Sequence, residues 1–510
     1  MNLHDQIAGK PTKDTAEIGK AAAVSASALP RSEYPAGFVS AMAALVDEAG
    51  LRQADAIGSL NPGIHPDNLR AGLMVRPATT AEVSAILSLC TAARVSVVPH
   101  GGRTGLAGGA VTRPGQVILS LDRMNRIESV NAVARTAIVE AGVTLERLED
   151  ALGVHDLAAG IDLGARGSAT VGGMVSTNAG GIDAFRYGTM RERVLGLEVV
   201  LADGRVVEEL RRVRKNNAGL PLRQLFIGAE GTLGVVTRVA LAVVPAAGPR
   251  NTVLVLLPDL DAGIAILRAV AAASGIELAA AELMSGNHLT LTARALGVAQ
   301  IAAAEPAPFA ILLAVAGVGH GSAEATLETL LVEASAAGQV VDAVLPKNAA
   351  EERDLWRIRE DWAVDRARPG GLWYDVSVPL DELPNYLSRL DARIRRHDSA
   401  LGVYVVGHLA DGNVHVTVNA DTPITARYAE IAPLVYEDLR AIGGSFSAEH
   451  GIGLEKIAAL ERWVGPDGVA LMRAVKAVFD PLTILNPGKV LRDINSTDGE
   501  AAEEARPAGH

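Results

Sequence analysis

The chain has 510 residues, 49% apolar and 21% charged, the composition of a soluble globular protein large enough for more than one domain. A formal charge of −12 excludes the basic face that nucleic-acid binding requires. The single cysteine, Cys90, excludes internal disulfides, iron–sulfur ligation and thiolate zinc sites.

Residues 1–35 are rich in Ala, Ser, Lys and Thr and lack the basic, apolar and cleavage segments of a signal peptide; a flexible tail is expected. Asp5, Asp14 and Glu17, with no arginine before Arg31, speak against a mitochondrial presequence, so a cytoplasmic protein is expected. Apolar runs such as Ile311 to Val318 are far shorter than the roughly 20 residues of a membrane helix, and no transmembrane segment is expected. From Leu73 the pattern reads strand, helix, strand: Leu73 to Pro77, Ala81 to Ala93 with Thr80 as N-cap, and Val95 to Pro99. Cys90 sits within that apolar-rich helical pattern, which suits buried packing.

The second strand launches Pro99-His-Gly-Gly-Arg-Thr-Gly-Leu-Ala-Gly-Gly-Ala110, with five glycines in twelve residues. Glycine tolerates positive φ, so such a loop can turn successive backbone N–H groups inward around an anion such as pyrophosphate. Sharp strand reversals use the same composition. Strands follow at Val117 to Leu121, Thr136 to Glu140 and Leu195 to Val207, the last folded at Asp203-Gly204 as a type I′ hairpin. Between them, Gly164 to Gly181 consists almost entirely of small residues, which suits either a flat ring lying on the backbone or a helix packed closely on a sheet. A third glycine segment, Phe226-Ile-Gly-Ala-Glu-Gly-Thr-Leu-Gly-Val-Val-Thr237, completes the set.

Taken in order, these three segments resemble the flavoprotein family of vanillyl-alcohol oxidase and p-cresol methylhydroxylase, and within it the D-2-hydroxy acid dehydrogenases related to D-lactate and D-2-hydroxyglutarate dehydrogenases. The likeness runs from about Leu73 to Leu491. It implies an α+β fold: a two-subdomain FAD-binding domain over 36–248 and an α/β substrate and metal domain over 249–491 whose end returns to the flavin; the polar composition beyond it reads as a flexible tail over 492–510. It places FAD against Pro99, Gly101, Gly102, Arg103, Thr104 and Gly105, with further contacts from Ser168, Gly172, Asn178, Glu230, Val236 and Asn486. Arg103 stands where covalent members carry a flavin-linked histidine, so non-covalent FAD is expected. A competing dinucleotide pattern, Ala310 to Ala316 followed by Gly317-Val-Gly-His-Gly-Ser322, lacks the third glycine and reads as a tight strand-to-helix turn.

After Val244 to Pro249 the composition changes, with a strand at Thr252 to Leu257 and a helix at Ala262 to Ala273. In Val403-Tyr-Val-Val-Gly-His408-Leu-Ala-Asp411-Gly412-Asn-Val-His415-Val-Thr-Val-Asn419, a two-residue loop at Asp411-Gly412 would set His408 directly opposite His415, close enough to chelate one ion. A bulged loop would change that register. Ser447-Ala-Glu449-His450-Gly-Ile-Gly453 sets an acid beside an imidazole, unless a helix begins near Gly453 and both are merely solvated. The resemblance implies that His408, His415 and Glu449 hold a divalent ion, usually zinc, that His450 is the base, and that Arg359 grips the substrate carboxylate.

Trp373, Thr417 and Ala363 replace the lysine, asparagine and threonine of members acting on 2-hydroxyglutarate. The substrate expected is therefore a D-2-hydroxy acid with an uncharged, bulky or aromatic side chain, oxidised to the 2-keto acid by hydride transfer to flavin. D-2-hydroxyglutarate itself, or a metal-free FAD oxidase using oxygen, are the alternatives; a metal-dependent hydrolase and a non-catalytic binding protein are the remaining rivals. Electron-transfer flavoprotein or a quinone-linked carrier is the implied electron acceptor, and a homodimer the candidate assembly.

Overall fold

The computed structural model describes residues 34–302, 306–318 and 322–493, so the expected terminal tails lie almost wholly outside the described residues. The first sheet has four strands in the order Leu51–Gln53, Leu73–Val75, Val117–Ser120, Val97–His100, and the last three are parallel. The helix Thr80–Ala93 makes the crossover between two of them. Its cap is Thr79 rather than Thr80: the Thr79 hydroxyl accepts the Glu82 N–H at 3.2 Å, and Arg94 ends the helix at φ 54°. Cys90 is fully buried there, and burial pushes its thiol up to about 12.

A second sheet is antiparallel throughout, in the order Ile127–Asn131, Thr136–Glu140, Val235–Ala242, Val194–Val200, Val206–Glu208. The turn expected at Asp203-Gly204 is not type I′. Val200 pairs with Val206, and Gly204 alone of the two residues takes a positive φ, 87°. One extra residue in the loop spares Asp203 the left-handed conformation that type I′ demands of it.

The C-terminal sheet has seven strands, in the order Asp342–Val344, Arg250–Leu257, Phe309–Gly317, Ile276–Ser285, Gly402–His408, Asn413–Asn419, Leu372–Ser377, and every pair is antiparallel. Phe309–Gly317 therefore belongs to no parallel βαβ unit, and the dinucleotide pattern is a strand-to-helix connection ending at the N-cap Ser322. Residues 319–321 of that pattern lie outside the described residues.

Period-two alternation splits this sheet into two faces. Val414, Val416 and Val418, with Leu372, Tyr374, Val376, Val403 and Val405, bury themselves in one core with Leu260, Leu327, Leu387 and Ile431 of the covering helices. Burying each such valine contributes about 1.5–3 kcal/mol. The alternate residues, His408, Asn413, His415, Thr417, Trp373 and Asp375, are thereby forced to the opposite face, toward the N-terminal half.

The chain end closes the two halves together. Leu485 bridges Val97, and Asn486 N–H donates to the Val97 carbonyl at 2.8 Å. Asn486 Nδ2 donates to the carbonyls of Gly109 (3.0 Å) and Glu230 (2.8 Å), and Lys489 Nζ to that of Val111 (2.7 Å). The small C-terminal segment thus lies behind the first glycine loop, in the α+β architecture expected.

Candidate active site

Between the two halves lies a cavity of about 760 Å³. One wall is backbone. Pro99 to Gly105, Gly172, Gly173, Gly180, Gly181, Glu230 and Val236 line it, so all three glycine segments converge on one space. The first loop admits no side chain at Gly102, where a Cβ would stand 1.9 Å from the Ser168 carbonyl oxygen. Arg103 holds a left-handed conformation (φ 57°) with its Nε buried and unpartnered, and desolvation lowers its pKa.

Three of the expected cofactor contacts stand behind this wall rather than on it. Ser168 meets the loop through its carbonyl. Asn178 closes the helix Val171–Thr177 at φ 54°, and its Oδ1 accepts from Thr189 Oγ1 and Arg191 N–H, both at 2.9 Å. Asn486 braces the loop as described above. Glu230 lines the cavity, but its carboxylate accepts the N–H groups of Ile452 (2.7 Å) and Gly453 (2.8 Å), tying the glycine wall to the C-terminal half.

The opposite wall is side chain. His408 pairs across the ladder with Asn413, and His415 with Val406, so the hairpin loop is Leu409–Gly412 rather than two residues. A short helical turn at Leu409–Asp411 takes up the extra residues, and Gly412 closes it at φ 74°, where a Cβ would stand 2.0 Å from the Val378 carbonyl. Since residues 413 and 415 share a face, the imidazoles remain together as diagonal neighbours, with ring centroids 5.7 Å apart and planes at 84°. His450 stacks on His415 at 5.6 Å and 7°. The segment carrying Glu449 and His450 is a loop, and the helix after it starts only at Ile457.

Each candidate ligand histidine is held from behind by a carboxylate directly across the ladder. Glu282 pairs with His408 and Asp375 with His415. Glu282 Oε1 meets His408 Nδ1 at 2.9 Å, and its Oε2 accepts Arg359 Nε at 2.6 Å. Burial raises the Glu282 pKa, but Arg359 and His408 outweigh it and hold the carboxyl well below the usual range. Burial likewise opposes charging His408, and Glu282 overrides it, so the His408 pKa is raised. Asp375 lies 3.5 Å from His415 Nδ1, accepts Asn413 Nδ2 at 2.9 Å, and its Oδ2 receives the N–H groups of Glu449 (2.7 Å) and His450 (2.9 Å). One buried carboxylate therefore orients a histidine and also shapes the Glu449–His450 loop.

A nitrogen from each of His408 and His415 and an oxygen of Glu449 lie within 4.8 Å of one another. With Nδ1 of both rings facing carboxylates, Nε2 is the ligand atom left to the cavity, the arrangement that fixes tautomer and ring orientation in histidine metal sites. The residues fit a divalent ion. Asp375, His415 and His450 are as close to one another, but Asp375 already accepts two backbone amides and an asparagine. Glu449 also accepts the Gly181 N–H at 2.6 Å, joining the side-chain wall to the backbone wall. His450 is half-buried, and desolvation lowers its pKa to about 4, leaving a neutral ring able to accept a proton.

Arg359, Trp373 and Thr417 line the same cavity. Among the described residues Arg359 bonds only through Nε, which leaves its two terminal nitrogens free to bind an anion. The sequence motifs miss Glu282 and Asp375. Their signal is present but faint: an acid in the interior of each of the apolar strands Ile276–Ser285 and Leu372–Ser377. Buried carboxylates in such strands imply partners, though not which.

A glycine-lined cleft thus faces a metal-capable cluster of carboxylate-backed histidines, and the class of protein follows from the families that match: flavin-dependent oxidoreductases. Residues 71–209 match the FAD binding domain family and 248–490 the family of FAD linked oxidases, C-terminal domain. The chain is 38% identical over 422 residues to the probable D-2-hydroxyglutarate dehydrogenase, mitochondrial, of Oryza sativa subsp. japonica, covering 82% of this chain and 75% of the relative. It is 38% identical over 420 residues to D-2-hydroxyglutarate dehydrogenase, mitochondrial, of Bos taurus (82% and 76%), and 37% over 422 residues to D-2-hydroxyglutarate dehydrogenase of Xanthomonas citri pv. viticola (81% and 88%). In fold it resembles p-cresol methylhydroxylase with substrate bound, at TM-score 0.67 and 17% identity, covering 90% of this chain and 97% of that one. The chain belongs to the FAD-linked oxidases related to D-2-hydroxy acid dehydrogenases. The expected cytoplasmic location is contradicted, because the relatives from Oryza sativa, Bos taurus and Arabidopsis thaliana are named mitochondrial. Location follows addresses read by receptors, which neither composition nor core packing records. Among the described residues, no helix is long and apolar enough to cross a membrane.

Proposed function

We propose that the protein oxidises a D-2-hydroxy acid to the 2-keto acid, with non-covalent FAD along the glycine wall and a divalent ion, zinc foremost, held by His408, His415 and Glu449. The observation that best supports this reading is the pair of carboxylate-backed imidazoles on the wall facing three converging glycine segments. When bound, the ion would polarise the substrate hydroxyl and the flavin would accept the α-hydrogen with its electron pair. Arg359 receives the substrate carboxylate on the terminal nitrogens that Glu282 leaves over. His450, kept neutral by burial, takes the hydroxyl proton.

The relatives' names favour D-2-hydroxyglutarate as the particular substrate, and the neutral wall at Trp373 and Thr417 favours an uncharged, bulky or aromatic side chain. Electron-transfer flavoprotein or a quinone-linked carrier completes the proposed cycle. The test is a visible spectrum and metal analysis of the purified protein, followed by anaerobic addition of a D-2-hydroxy acid. Bleaching of a flavin spectrum that is lost on chelation supports the reading. A colourless protein, or bleaching and peroxide formation that survive chelation, overturns it.

A further inference from the structure

The cavity face of the C-terminal sheet is a grid of three rows. The first holds Glu282, His408 and Asn413, and the second Val406, His415 and Asp375. The third holds Tyr404, Thr417 and Trp373, paired side by side across three strands. Rows on one face are two residues apart, about 7 Å along the strand. A substrate anchored at the histidine rows thus carries a side chain of a few carbons to the third row.

That row offers no cation. Trp373 packs on Trp362 at 4.6 Å between ring centroids, and its Nε1 donates to Asp365 Oδ1 at 2.6 Å. Asp365 lines the cavity and, among the described residues, forms no ion pair; the neighbouring Arg366 is engaged by Asp361. Arg103 in the glycine loop and Arg359 are the only arginines or lysines among the described residues lining the cavity, and Arg359 is committed to the first carboxylate. Glu360 and Asp361 line it too, from the segment that carries Asp365.

We infer that Asp365, held by Trp373 at the far end of the third row, determines specificity by repelling a second substrate carboxylate, so that the enzyme takes 2-hydroxy monocarboxylates with neutral side chains. Burial of Asp365 raises its carboxyl to about 6, and the group still carries mostly negative charge at neutral pH. A distal carboxylate would be desolvated against it without a counter-ion, whereas a neutral end meets an indole and a hydroxyl.

The inference rests on the oxidation proposed above, and its test separates the two. Holoenzyme is assayed with an artificial acceptor on D-2-hydroxypentanoate and D-2-hydroxyglutarate, which share a carbon skeleton and differ at the distal carboxylate. The wild type is expected to favour the pentanoate in kcat/KM by at least tenfold. Asp365→Asn keeps an acceptor for Trp373 Nε1 and removes the charge, so it should narrow that ratio about tenfold, chiefly through KM for the dicarboxylate; Asp365→Glu should keep it. Competition by glutarate and by pentanoate on the wild type reads the same preference without any variant, with pentanoate the tighter inhibitor. Preference for the dicarboxylate, tighter glutarate binding, or an unchanged ratio in Asp365→Asn overturns this inference alone. Failure of both acids to reduce the flavin overturns the oxidation reading and this inference with it.

Discussion

The two walls of the cavity are made of opposite materials. The N-terminal wall presents backbone, with glycines whose missing side chains let loops approach one another, as Gly102 approaches Ser168. The C-terminal wall presents the imidazoles of His408 and His415 on a rigid sheet, each backed by a carboxylate one strand away, with the Arg359 guanidinium brought from the helix Ala349–Glu360. A surface of N–H groups and small residues binds a large cofactor by shape and weak dipoles. A surface of fixed charges moves protons and holds ions. Division of labour follows from the materials.

The difference can be broken from the side-chain wall first. His450→Ala removes the proposed base and should lower kcat about 10²–10⁴-fold, with flavin content unchanged, as steady-state rates and the flavin spectrum would report. Asp375→Asn withdraws the charge behind His415 and loosens the Glu449–His450 loop; metal affinity should fall about 10–100-fold by competition with a chelating dye. The backbone wall responds differently. Gly102→Ala forces a Cβ into the Ser168 carbonyl, and the strain of about 1–3 kcal/mol should appear as FAD loss in gel filtration while the metal content holds.

The smallest effect lies beneath the glycine wall. Burial raises Glu149 to about 7, so its charged form destabilises the native state, with no cost below the ordinary glutamate pKa and a growing cost as pH rises through 7. Glu149→Gln keeps an acceptor for the Ala159 N–H and should stabilise by about 1 kcal/mol at pH 8 and by almost nothing near pH 4 in thermal melts. Equal gains at both pH values would show that the group stays neutral.

Much of both walls was legible in the chain. The alternation Val414-His415-Val416-Thr417-Val418 announces a half-buried strand whose polar face carries the chemistry, because a side-chain period of two admits one assignment of faces. Clustered glycines announced segments that converge on one cavity, and the adjacency of Glu449 and His450 announced an acid and an imidazole that both line it. The supporting residues were not legible. Glu282 lies 126 residues from His408, and Asp375 74 residues from Glu449. Asn178 and Asn486 carry the expected positions yet brace the loops from behind.

Local chemistry along the chain therefore determined which strands and glycine loops form, and which residues could ligate, accept protons or bind an anion, but not the length of the Asp203-Gly204 and Asp411-Gly412 turns. Tertiary structure decided the diagonal register of His408 and His415, the carboxylate behind each ring, and the row on which the substrate side chain would lie. The reason is physical: face and turn preferences depend on neighbours in sequence, whereas the charge state and aim of a buried group depend on whatever the fold brings against it.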